Sequence, residues 1–150
     1  MKPVNLCATQ TDFGIGIPVR SLQHRRMKVV TIIARVLLGL MFVVFGSNAF
    51  LHFIPMPPLP QTPAGNFLTA LFVSHYIYAI ALCQVIGGLL LLSGRFVPLG
   101  LVFLFPVIVN IDLFHIFMDH SGLPMAAFVS LLAIFLVWRY RDAFAGILRA

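Results

Sequence analysis

The chain has 150 residues, 61% of them hydrophobic and only 9% charged, with a net charge of +6 and no glutamate. A water-soluble domain carries about a quarter charged residues, so this chain has too little polar surface to cover its apolar bulk in water. It reads as a single all-α integral membrane domain, and the positive balance is no nucleic-acid signal, because the basic residues sit at the ends of apolar runs, where they orient helices.

Residues 1–28 form a polar tail with Gly14, Gly16 and Pro18. The tail lacks the apolar core of a signal peptide, and its composition is that expected of a disordered cytoplasmic segment. Met27 offers a second start, since MKVVTIIARVLLGLMFVVF is basic and then apolar like an export segment. We read that stretch as an uncleaved first transmembrane helix. The membrane domain then covers 29–145, and 146–150 form a short cytoplasmic C-terminus.

Four apolar spans follow, at about Val29–Phe50, Phe67–Leu92, Val97–Phe117 and Leu123–Trp138. A helix crosses the ~30 Å hydrocarbon layer with about 20 residues, and spans this continuous do not suit barrel strands. Ser93-Gly94-Arg95 makes a tight turn before Pro98, and Gly122 and Pro124 open the fourth span in the same way. The proline-rich stretch FIPMPPLPQTPAGN, 53–66, is expected to be extended and stiff.

Charge gives the orientation. Arg20, Arg25, Arg26 and Lys28 precede the first span, Arg95 separates the second from the third, and Arg139, Arg141 and Arg149 follow the fourth. The loops at 51–66 and 118–122 hold no Lys or Arg. By the positive-inside rule both termini are cytoplasmic, which makes the expected fold a multi-pass four-transmembrane-helix bundle.

This topology gathers polar residues at one depth, near the outer surface: Asn48 and His52 end the first span, His75 lies near the start of the second, and Asn110 and His115 lie late in the third. They are the candidate ligand-binding layer. On an ideal helix Asn110 points about 160° from Asp112, and Asn110 is expected to face inward. Asp112, His115 and Asp119 share a face with ligand-like spacing, but so few ligand types converge that the pattern argues against a metal or haem. The bland reading of the layer is a set of interhelical hydrogen bonds, each worth about 0.6 kcal/mol. No catalytic motif is visible.

Arg35 lies about 10 Å into the first span, where a charge is costly unless it pairs or reaches the interface. Gln84 is its expected partner in a buried polar pair. Cys7 and Cys83 form no CxxC, which argues against a thiol–disulfide oxidoreductase. Gly39, Gly46, Gly87 and Gly88 are packing devices that let helices approach.

The run RVLLGLMFVVFGSNAFLHFIPMPPLP, 35–60, and the run QVIGGLLLLSGRFVPLGLVFLFPVIVNIDLFH, 84–115, resemble the DoxX family of four-helix bacterial inner-membrane proteins. The resemblance spans roughly residues 29–145. It implies association with oxidoreductase subunits such as those of thiosulfate:quinone oxidoreductase, and a quinone as the lipophilic guest. The chain departs from the family pattern at Gln84, a position commonly acidic, and at Asp112, commonly apolar. The leading expectation is a quinone-linked, redox-associated membrane subunit whose polar layer receives the headgroup and whose partner brings the electrons. The alternative is a non-enzymatic scaffold, anchor or chaperone-like module. Self-association into a homo-oligomer is left open by the sequence, and the lipid bilayer is the one partner that composition demands.

Overall fold

The computed structural model describes the backbone of residues 19–55 and 58–147. Among the described residues six α-helices follow one another: α1 Val19–Leu51, α2 Pro63–Val73, α3 Tyr76–Ser93, α4 Val97–Phe117, α5 Leu123–Arg139 and α6 Arg141–Ile147, with a 3-10 turn at His120–Gly122 before α5. Among the described residues four segments are long and apolar enough to cross a membrane: Arg25–Leu51, Tyr76–Ser93, Val97–Phe117 and His120–Arg139. The chain is therefore an all-α, multi-pass membrane protein built on four such helices.

The bundle runs up and down in chain order, with α1 packed on α3, α3 on α4, α4 on α5, and α5 closing on α1. Its core is built from one leucine per spanning helix, Leu38, Leu91, Leu104 and Leu136, all at 0% exposure. Outward-facing side chains are just as apolar. Phe105, Leu131 and Ile134 are 64–66% exposed, a surface that suits lipid and not water.

Glycines set the helix spacing. Gly87 and Gly88 are neighbours on α3, so they face about 100° apart and serve different partners. A Cβ at Gly88 would lie 2.8 Å from the Gly39 carbonyl oxygen on α1, and one at Gly87 would lie 2.6 Å from Leu104 Cγ on α4. Gly100 meets the Gly87 carbonyl oxygen in the same way, at 2.8 Å. With no side chains in between, backbones approach closely and gain dispersion contact.

Besides residues 63–66, expected to be extended but found to open α2, two features depart from the sequence expectation. First, α1 already runs over residues 19–28, which composition had assigned to the tail; Arg, Leu, Gln, Met and Lys there are good helix formers with no breaker among them. Residues 1–18, and with them the rest of the expected tail, lie outside the described residues. Second, the expected continuous span Phe67–Leu92 is broken in two. His75 takes the left-handed conformation, φ 61°, and Ser74 Oγ donates to the Leu71 carbonyl while accepting from Tyr76 N–H. Serine competes with the helical ladder for these groups. A helix unbroken from Pro63 to Ser93 would reach about 46 Å, far more than a ~30 Å layer needs. The upstream half, α2, starts where Thr62 caps it, accepting from Gly65 N–H at 3.2 Å, with Pro63 in the first turn.

Candidate functional site

The basic residues Arg25, Arg26, Lys28, Arg95, Arg139 and Arg141 gather at one end of the bundle, at the start of α1, the α3–α4 turn and the end of α5. At the opposite end lie the 52–62 segment, α2 and the 118–122 turn, together with every histidine of the candidate layer.

The five candidate residues are not brought together as one layer. Asn48 Oδ1 accepts from Ile54 N–H at 2.7 Å, so this side chain ties down the chain leaving α1. His52 is exposed, with φ 50° just beyond the helix end. His75 sits at the α2–α3 break, its ring stacked on Tyr78 at 5.8 Å. None of these three lines the two cavities that His115 reaches.

His115 does. It lines a cavity of about 120 Å³ among the spanning helices, walled by Met41 and Phe42 of α1, Ile111 of α4 and Met125 of α5. The other polar side chain on that wall is Gln84 of α3. The two also line a second space of about 150 Å³ beneath α2, where Phe67, Leu68 and Leu71 form the cover and Asn110 joins them. Gln84 and His115 thus share an apolar interior.

The register explains why Gln84 is free for this. On α1 and α3, Gly46 lies opposite Gln84 and Ala81, and Gly39 opposite Gly88 and Leu92. Arg35 falls further along, against Gly94, where any Cβ would collide with its guanidinium. The expected Arg35–Gln84 contact is not made, because the two residues sit at different levels of an antiparallel pair. Arg35 instead carries its charge to the turn at the basic end, while its Nε is buried without a hydrogen-bond partner.

Asp112 and Asn110 exchange their expected roles. Asp112 is half-buried against α5, and Asn110 is exposed at the edge of the space beneath α2. The α4–α5 hairpin turns about Ser121, which sets residue 112 opposite residue 130, and Ser130 Oγ donates to Asp112 Oδ2 at 2.6 Å. That partner makes the inward carboxyl tolerable.

His115 Nδ1 lies 2.8 Å from the Asp119 carbonyl oxygen. A carbonyl only accepts, so Nδ1 carries the proton, and in the neutral ring Nε2 is left as an acceptor. The ring also packs on Gly122, where a Cβ would run into it. Asp119 itself caps the 3-10 turn, its Oδ1 accepting from Ser121 N–H at 3.0 Å. Hydrogen bonds from the Ser121 hydroxyl and then its N–H hold the Asp119 carboxyl below the usual carboxylate range. The weak metal trio Asp112, His115 and Asp119 is not assembled: Asp112 turns to Ser130, and His115 bonds to the Asp119 backbone. Among the described residues no three His, Cys, Asp or Glu side chains converge.

Comparison with models of known families, with curated proteins and with solved structures finds no match to the chain. What can be said of its chemistry rests on the arrangement above. Two polar side chains from adjacent helices, one an amide and one an imidazole with a fixed tautomer, face an otherwise greasy chamber. Gln84 brings donors and an acceptor, and His115 an acceptor at Nε2. The sequence singled out both residues but gave Gln84 the wrong partner. Pairing α1 with α3 through their glycines would have shown that Gln84 and Arg35 lie at different levels.

Proposed function

We propose that the protein binds the ring of a small lipophilic molecule, of quinone type, between Gln84 and His115 as a DoxX-like membrane subunit. The observation that carries this is the shared cavity. An amide and an imidazole converge on one apolar chamber, the composition expected of a pocket that solvates a hydrocarbon body and orients a few polar atoms. The Gln84 amide N–H would donate to a ring carbonyl. His115 Nε2 would accept from a ring hydroxyl in the reduced form and could take its proton. A partner oxidoreductase would supply or remove electrons. In this reading the basic end faces the cytoplasm of a bacterial cell and the chamber lies toward the outer leaflet of the inner membrane.

The test is binding of a short-tailed quinone and its quinol to purified protein. Gln84→Leu and His115→Leu should each weaken binding at least tenfold, and unchanged affinity in both defeats the proposal. Reporter fusions near residues 60 and 120 test the orientation.

A second reading is a scaffold whose polar groups only lock the helices. The Asp112–Ser130 and Asn48–Ile54 contacts favour it, since both are satisfied within the chain. A stoichiometric protein partner recovered by cross-linking, with no bound ring compound, would support this reading over the first.

A further inference from the structure

Asn110 is a problem for a protein surrounded by hydrocarbon. It is exposed on the outer face of α4, and among the described residues its side chain makes no hydrogen bond. On a helix running from Val97 to Phe117 it lies about 20 Å from one end and about 10 Å from the other. Lysine or arginine could reach a headgroup from such a depth, but asparagine is too short. Acyl chains offer neither donor nor acceptor, so the amide is unsatisfied unless something else covers it.

A second polar group sits on the same face. Pro106 lies inside α4 one turn before Asn110, and it has no N–H to give the carbonyl of Val102, another turn back. Val102 is 52% exposed. Beside this stripe runs a groove of about 340 Å³ between α3 and α4, lined by Ala79, Cys83, Pro106 and Asn110 among others. Small side chains there leave room for another helix to come close.

We propose that a second copy of this chain covers the face, and that the two Asn110 amides hydrogen-bond to each other. An amide carries both donors and an acceptor, so it is its own complement. Copies inserted in the same direction hold Asn110 at the same depth, and a two-fold axis along the membrane normal brings each residue to its counterpart. A different partner would need a polar group placed at that depth by coincidence. Asn110 also borders the space beneath α2, but it takes no part in the cavity of about 120 Å³ between Gln84 and His115.

The experiment uses the full chain in native membranes and in lipid nanodiscs. In a Cys7→Ser, Cys83→Ser background, Asn110→Cys should cross-link to a covalent dimer under mild oxidation. Ile134→Cys, on the exposed face of α5, should cross-link at least tenfold more slowly. With the native Asn110 kept, Cys83 in a Cys7→Ser chain should be bridged between copies by a short bismaleimide. Asn110→Leu should raise the dimer dissociation constant at least tenfold, and Asn110→Gln should largely preserve it. The proposal is overturned if Asn110→Cys cross-links no faster than Ile134→Cys, if Cys83 is not bridged, or if Asn110→Leu dimerises as tightly as the parent. A different protein bound at Asn110→Cys in place of a second copy would overturn it as well.

Discussion

The Ser130 hydroxyl on α5 reaches the Asp112 carboxyl on α4 at 2.6 Å, the one side chain–side chain hydrogen bond between helices among the described residues. It turns a residue that lipid would penalise into a link between neighbours. Ser130→Ala should destabilise the fold by about 1–2 kcal/mol, more than the average interhelical contact because it leaves the half-buried Asp112 carboxyl without its donor. Asp112→Leu combined with Ser130→Ala should be nearly neutral, because the unpaired acceptor goes with its donor. Denaturant titration of the four species in detergent measures this, and additive effects would show that the pair does not act as one.

Gly88 and Gly87 should respond differently to enlargement. Gly88→Ala drives a methyl to 2.8 Å from a backbone oxygen of α1, which cannot yield without moving the helix. Gly87→Ala meets mainly the Leu104 side chain at 2.6 Å, which can rotate away in part. Overpacking of this kind costs about 1–3 kcal/mol. Gly88→Ala should fall at the upper end and Gly87→Ala below it, as read by thermal unfolding.

Asp119 should titrate below an ordinary aspartate, because the Ser121 hydroxyl and N–H both donate to it. Since the folded-state value is the lower one, whatever this cap contributes is present above the unfolded value and is lost as pH falls through the folded value. Ser121→Ala removes the hydroxyl and keeps the N–H, so the carboxyl should move up part of the way. Carbon-13 carboxyl NMR titration against pH checks both statements.

His115 should be found as the Nδ1–H tautomer when neutral, because its partner is the Asp119 carbonyl. Nitrogen-15 chemical shifts separate the two tautomers directly, and an Nε2–H ring would contradict the geometry. Gly122→Ala forces the ring off its seat. That variant should lose the tautomer preference and weaken any ring ligand along with it.

The spanning helices were legible in the sequence because their apolar runs are long and are bounded by Arg95, Gly94 and Gly122. The α2–α3 break was hidden because hydropathy averages over Ser74 and His75, and two polar residues in a run this long barely change the mean. Facing was harder to read than depth. Nearly every α4 side chain is apolar, so no periodicity separates its core face from its lipid face, and the ~160° between Asn110 and Asp112 does not say which of the two points inward. The hairpin about Ser121 sets residue 112 opposite 130, and that pairing would have settled it. Arg35 was given a partner by depth without register, although the glycines of α1 and α3 fix the register. The Gln84–His115 chamber was not legible at all, since its wall is assembled from α1, α3, α4 and α5 together.

The break at Ser74–His75 also sets a thickness. It leaves α3 with 18 residues beside an α4 of 21, or about 27 Å against about 32 Å. Lipids bordering α3 must therefore compress, or the longer helices must lean until their spans match that of α3. Either adjustment biases the protein toward the thin end of natural bilayers, so its residence is tuned by one serine–histidine joint far from any basic residue.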